Sequence, residues 1–186
     1  MNLSPPAPRQ HLHTRKYHFE GFHRADGLWD IEGRMTDTKT YSFPNDYRGE
    51  VKAGEPVHDM WIRLTVDDNL VVKDIEAVTA AGPFRVCPDI TPKYAALKGA
   101  QIGPGWTKRV KEMFGGPGGC THHTEMLPAM ATVAYQTIFS ARKKWDKIDG
   151  ATKRPAFIDT CHALASTGEV VKQHWPEFYR GDQPPK

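Results

Sequence analysis

The run Gly118-Gly119-Cys120-Thr121-His122-His123-Thr124-Glu125-Met126 carries a thiol, two imidazoles and a carboxylate within a few residues of one another, directly after a Gly/Pro-rich turn. Those are the donor groups that hold zinc or ferrous iron, three or four at a time. Cys120 precedes a helical pattern, where unpaired backbone N–H groups and the positive helix end favour the thiolate. A thiolate there can bind a metal or act as a nucleophile. If the run is helical, Cys120 and His123 share a face; if it is extended, Cys120 and His122 do. The spacing alone leaves both geometries open. Glu125 is either a first-turn acid that suits the helix dipole or a general base.

Two further positions carry suitable donors. His58-Asp59 stands at the start of a strand pattern, and Cys87 lies in a loop between Val86 and Pro88. A strand end can meet a helix N-terminus, so His58 and Cys87 are expected opposite Cys120 and one of His122 or His123. In that arrangement Asp59 or Glu125 serves as acid or base. Arg24 and Arg63 could bind a substrate carboxylate, and Trp61, with Trp29 and Trp106, could line an apolar pocket for an aromatic substrate. Cys161-His162 is a second thiol–imidazole pair whose neighbouring side chains usually diverge. Along the N-terminal strand pattern, His13 with Arg15, or His18 with Glu20, can share a face, and the plainer reading of all four is as solvated strand residues.

These side chains need elements to hold them. Tyr17, Phe19 and Phe22 alternate with polar residues over 13–22, and Asp26-Gly27 turns the chain into a second strand over 28–35. Residues 40–56, rich in Pro, Gly and Asn, read as a long connection. Met60, Ile62, Leu64 and Val66 alternate strictly with Trp61, Arg63 and Thr65, the pattern of a half-buried strand. Asp67-Asp68-Asn69 then turns into a returning strand over 70–80. Beyond residue 89 the periodicity becomes helical: a short helix near Tyr94 to Leu97, a second over Trp106 to Phe114, and a longer one carrying Leu127, Met130, Ala134 and Ile138. Pro128 predicts that this last helix begins near Leu127, with the Cys/His run as a distorted first turn or loop. Strands first and helices after predict an α+β fold, an antiparallel sheet packed on one face by helices.

The whole chain has 186 residues, 39% hydrophobic and 25% charged, with a formal net charge of +3. That is ordinary for a soluble globular protein, and it argues against a nucleic-acid partner. The expected organisation is a flexible segment over 1–11, one α+β domain over 12–180 and a flexible tail over 181–186. The N-terminal decapeptide has three prolines and no apolar stretch, so neither a signal peptide nor a membrane span is expected, and the expected location is cytoplasmic. Three widely spaced cysteines read as free thiols or ligands in a reducing compartment.

The stretch from about Asp26 to Trp175, with Arg24-Ala25-Asp26-Gly27-Leu28-Trp29-Asp30-Ile31, Asp37-Thr38-Lys39, His58-Asp59-Met60, Gly119-Cys120-Thr121-His122 and Asp159-Thr160-Cys161-His162, resembles a bacterial family of domains of unknown function. From about Pro56 to Tyr135 the chain is also similar to the NifU-like iron–sulfur cluster scaffold. There His58-Asp59, Cys87 and Cys120 stand where the scaffold places its ligands, and the N-terminal strands are an extension. The scaffold's first cysteine is missing, so the resemblance implies a mononuclear His/Cys site.

The resulting expectation is a metal-dependent lyase or hydrolase acting on a small, aromatic or other organic molecule, using a divalent zinc or iron ion. The ligands are drawn from His58, Cys87, Cys120, His122 and His123, and a homodimer is compatible with the sequence. The alternatives are a noncatalytic metal or iron–sulfur carrier, and a metal-free enzyme with a Cys/His nucleophile pair.

Overall fold

The computed structural model describes residues 3–142, 154–155 and 157–181. The chain divides into two compact units, Met1–Thr137 and Ile138–Lys186. Residues 3–12 are exposed and lack regular structure, and the tail expected over 181–186 lies outside the described residues beyond Gly181.

The first unit is built on a four-stranded antiparallel sheet: β1 (His13–His23), β2 (Trp29–Lys39), β5 (Pro56–Val66) and β6 (Val72–Ala81), in the order β1-β2-β5-β6. The class is α+β, as the strand-then-helix order predicts. The β1–β2 hairpin closes on Asp26-Gly27, with Gly27 at φ 86°, a conformation that favours glycine. Within the expected connection a small hairpin forms from β3 (Phe43–Asn45) and β4 (Gly49–Val51).

Alternation on β2 and β5 makes one sheet face apolar. Trp29, Ile31 and Met35 from β2 and Met60, Ile62, Leu64 and Val66 from β5 are buried, and the register sets Met35 beside Met60 and Ile31 beside Leu64. The other face carries Glu32, Arg34, Asp59, Trp61, Arg63 and Glu76 toward solvent, the usual division for an antiparallel sheet covered on one side.

The covering layer comes from a 3-10 segment (Cys87–Leu97), α1 (Trp106–Phe114) and α2 (Thr121–Ala141). Tyr94, Val110, Phe114, Met126, Leu127, Met130 and Ala134 are their buried residues. The expected helix at 94–97 is thus the end of a longer 3-10 run. α2 starts at Thr121, not at Leu127, and continues through Pro128. Proline removes one ladder hydrogen bond, but buried residues on both sides of it, Met126, Leu127, Met130 and Ala131, hold the helix together. α2 runs close over the sheet because β1 and β2 offer glycines beneath it: a Cβ at Gly33 would lie 2.9 Å from Met126 Cε, and one at Gly21 only 2.1 Å from Thr137 Oγ1.

The second unit holds a 3-10 turn (His162–Leu164), α3 (Glu169–His174) and a 3-10 turn (Pro176–Phe178). Ile158, Val171 and Trp175 form its core, with Phe157, Leu164 and Phe178 packed on them. Among the described residues no helix is long and apolar enough to cross a membrane.

Gly119 fixes the entry to α2. A Cβ there would lie 2.6 Å from the Phe114 carbonyl oxygen and 3.0 Å from the Tyr94 hydroxyl. Gly119→Ala is therefore expected to cost about 1–3 kcal/mol in urea unfolding, and a loss below about 0.5 kcal/mol would show that this approach is not constrained.

Candidate metal centre

At one end of the sheet the buried stripe of β2 does not stop at Met35 but continues with Asp37, which is 3% exposed. The strand register explains what it meets. Asp37 pairs with Arg15 on β1 and with His58 on β5, so arginine, carboxylate and imidazole form a row across three adjacent strands on the helix-covered face. The N-terminus of α2 then lays His122 over that row.

Asp37 uses both oxygens. Its Oδ1 accepts from His13 Nε2 at 2.9 Å and Arg15 Nε at 2.8 Å; its Oδ2 accepts from Arg15 Nη2 at 2.7 Å and His58 Nδ1 at 3.0 Å. Burial by itself would raise the carboxyl, but the fork of Arg15, with His13 and His58, outweighs it and holds Asp37 well below the usual carboxylate range. Asp37 is therefore an anion, and Arg15 is its permanent counter-charge.

The two imidazoles stay neutral. His58 is lowered first by burial, against the pull of Asp37. His122 is lowered to about 4 by burial, and repulsion from Arg15, and from His58 whenever that ring is protonated, works in the same direction. Their rings lie 3.9 Å apart between centroids, tilted by 37°, and His122 Nε2 is 3.8 Å from Asp37 Oδ2. Asp37, His58 and His122 each offer a donor atom within 4.8 Å of the others. Donor atoms in a tetrahedral site with bonds of about 2.0–2.1 Å are roughly 3.3 Å apart, so this group, with His122 Nε2 at 3.8 Å from Asp37 Oδ2, would have to draw together slightly to hold a metal by two imidazoles and a carboxylate.

Around this group α2 is tightly anchored. The Tyr94 hydroxyl accepts from the Cys120 N–H at 2.9 Å and donates to the Cys120 carbonyl at 3.0 Å. Cys120 Sγ stands 3.7 Å from His122 Nδ1, the ring nitrogen away from Asp37. One turn on, Glu125 Oε2 accepts from Arg15 Nη1 at 3.3 Å and from the Tyr17 hydroxyl at 3.2 Å. Arg15 thus bridges the buried and the half-exposed carboxylate.

Of the residues singled out in the sequence, His58 and His122 converge, with Cys120 and Glu125 beside them. His123 does not join them, because successive helical residues point about 100° apart. It is fully buried, donates from Nε2 to the Val78 carbonyl at 3.1 Å, and is lowered by that burial. Cys87 packs against Gly82, whose Cβ would meet its Sγ at 3.2 Å, and it is not one of the grouped donors. Strand alternation turns Asp59 to the opposite face from His58, where Arg34 grips it at 3.0 and 2.8 Å. Trp61 shares that face under the Arg34 guanidinium, and Arg63 pairs there with Glu32 and Glu76. Arg24 binds Asp26 and Asp30 at the far end of the β1–β2 hairpin. Cys161 is exposed in the second unit.

Asp37, which stands in the motif Asp37-Thr38-Lys39, is absent from the ligands expected of the sequence. Its signal is periodicity: a carboxylate two positions beyond Met35 on the stripe Trp29, Ile31, Met35 belongs to the buried face and needs a cation there.

The titration has a definite sign. The folded protein keeps His58 and His122 neutral below the ordinary histidine value of 6.5, so it binds fewer protons than the unfolded chain. Their contribution is complete above about pH 6.5 and is lost as pH falls, for His122 through about 4. The Asp37 contribution is present above its ordinary value of 3.8 and fades below it. Urea unfolding is expected to show stability falling between pH 7 and 4, with a shallower slope in His122→Phe; a flat profile down to pH 5 would contradict these burials.

No curated protein and no solved structure matches the chain. The family described as protein of unknown function (DUF2889) matches residues 13–136, a segment that contains His13, Arg15, Asp37, His58, Cys120, His122 and Glu125. The chain belongs to that family.

Proposed function

We propose that Asp37, His58 and His122 hold a divalent zinc or iron ion, and that the protein is a metal-dependent lyase or hydrolase for a small organic molecule. The observation that carries this reading is the convergence of an ionised carboxylate and two neutral imidazoles, within 4.8 Å of one another, at the junction of a sheet end and a helix start. Three protein donors rather than four favour catalysis over a carrier or structural role, since catalytic sites keep a position open. A bound ion would supply Lewis-acid polarisation of a substrate oxygen.

The remaining work falls to the chain itself. Arg15 fixes the orientation of Asp37 through both carboxylate oxygens, and Cys120 restrains the outer nitrogen of His122. Glu125 is the group placed to move a proton: it is on the same α2 face as His122, half exposed, and held by Arg15 and Tyr17. Asp59 is set apart from this work by its position on the other sheet face.

The 3.7 Å contact between Cys120 Sγ and His122 Nδ1 favours a second reading, a metal-free thiol nucleophile with His122 as its base. Elemental analysis separates the two. On the metal reading, wild-type protein and Cys87→Ala retain about one equivalent of zinc or iron, and His58→Ala and His122→Ala lose it. Equal metal content in wild type and both histidine variants would overturn the metal reading.

A further inference from the structure

The two edges of the sheet are treated differently. The β6 edge is occupied: Val72 exchanges backbone hydrogen bonds with Ala100 and Gly99, Val71 bridges Gln101, and His123 binds the Val78 carbonyl. On the other side, no strand lies beyond β1 among the described residues, and its residues from Arg15 to His18 and from Glu20 to His23 are exposed. β1 runs for 11 residues, His13–His23, without a proline. A long open edge of this kind is a template for another strand.

The side chains of β1 point to which strand that is. Antiparallel pairing of β1 with the same strand of a second copy, about a two-fold axis at His18, sets Lys16 opposite the partner's Glu20, and Tyr17 opposite the partner's Phe19, each twice by symmetry. Shifting the axis to Tyr17 would set Lys16 against the partner's His18, and shifting it to Phe19 would set Lys16 against the partner's Phe22. Only the His18 axis joins both full charges.

Within its own sheet Glu20 lies directly opposite Glu32, a like-charge pair, and Glu32 is already bound to Arg63. His18 is its ion-pair partner at 3.1 Å. Lys16 faces Thr36 and forms no ion pair among the described residues. On the other face Tyr17 and Phe19 stack at 6.0 Å, with Tyr17 42% exposed. Each strand therefore carries, on both faces, half of a pairing that its own two-fold copy completes.

We infer that the protein forms a two-fold dimer through β1, which joins two four-stranded sheets into one of eight strands. The interface lies beside the candidate centre, because Arg15 and Tyr17 of the pairing strand bind Glu125, and Arg15 also binds Asp37.

Sedimentation equilibrium on the full chain tests this. Wild type is expected to be a dimer at micromolar concentrations, and Lys16→Glu to weaken association by roughly tenfold or more by facing like charges across the axis. The reversed pair Lys16→Glu/Glu20→Lys is expected to restore the dimer. Both residues are exposed, so circular dichroism should show wild-type folding in each variant. A wild type that is monomeric throughout, a Lys16→Glu dimer of unchanged strength, or a reversed pair that stays monomeric would each overturn the inference.

Discussion

The arrangement of this protein turns on one buried anion. Asp37 sits on the apolar face of the sheet, where an unpaired carboxylate would cost several kcal/mol, and four short hydrogen bonds from His13, Arg15 and His58 compensate it. Those bonds tie together three strands at one end of the sheet. They also bear on local protonation: Arg15 keeps the carboxylate ionised, and burial, with Arg15 adding repulsion, keeps His122 neutral. The result is an anion beside two lone-pair donors in a site largely shielded from water.

Two constraints bring these groups together. The first is cross-strand register, which makes Arg15, Asp37 and His58 direct neighbours on one face and sends Asp59 to the other. The second is the close approach of α2, which rests on Gly21 and Gly33 and is pinned at its start by Gly119 and the Tyr94 hydroxyl. The first turn of α2 then divides its imidazoles. His122 enters the polar group, and His123 fills the core against the β6 edge.

Much of this is legible in the residues themselves. Strict alternation over Met60 to Val66 identifies a half-buried strand, and the Asp26-Gly27 turn identifies the first hairpin. His58 and the adjacent pair His122 and His123 stand out by residue type and setting, but the spacing does not choose between the two neighbouring imidazoles. What single-sequence reading cannot supply is the pairing of β2 with β5, which depends on contacts far apart along the chain, and without it Asp37 is an ordinary strand acid. The β1–β2 register is set by the three-residue loop Ala25-Asp26-Gly27, which closes Arg24 on Leu28 and sets Arg15 against Asp37; a two-residue turn at Asp26-Gly27 would instead set Arg15 against Thr38, so the Asp-Gly signal alone does not fix it. Local rules also mislead at Pro128, where burial on both sides overrides the preference of proline for a helix start. They mislead again at Cys87, whose donor chemistry is no guide to its packing against Gly82.

A centre made of Asp37, His58 and His122 would differ in kind from one built on thiolates, since its donors are nitrogen and oxygen and Cys120 acts through His122. X-ray absorption on the metal-loaded protein distinguishes the two directly. A shell of nitrogen and oxygen at about 2.0–2.2 Å, with imidazole scattering from two histidines, is expected. A sulfur scatterer at about 2.3 Å would instead place a cysteine in the shell and contradict it.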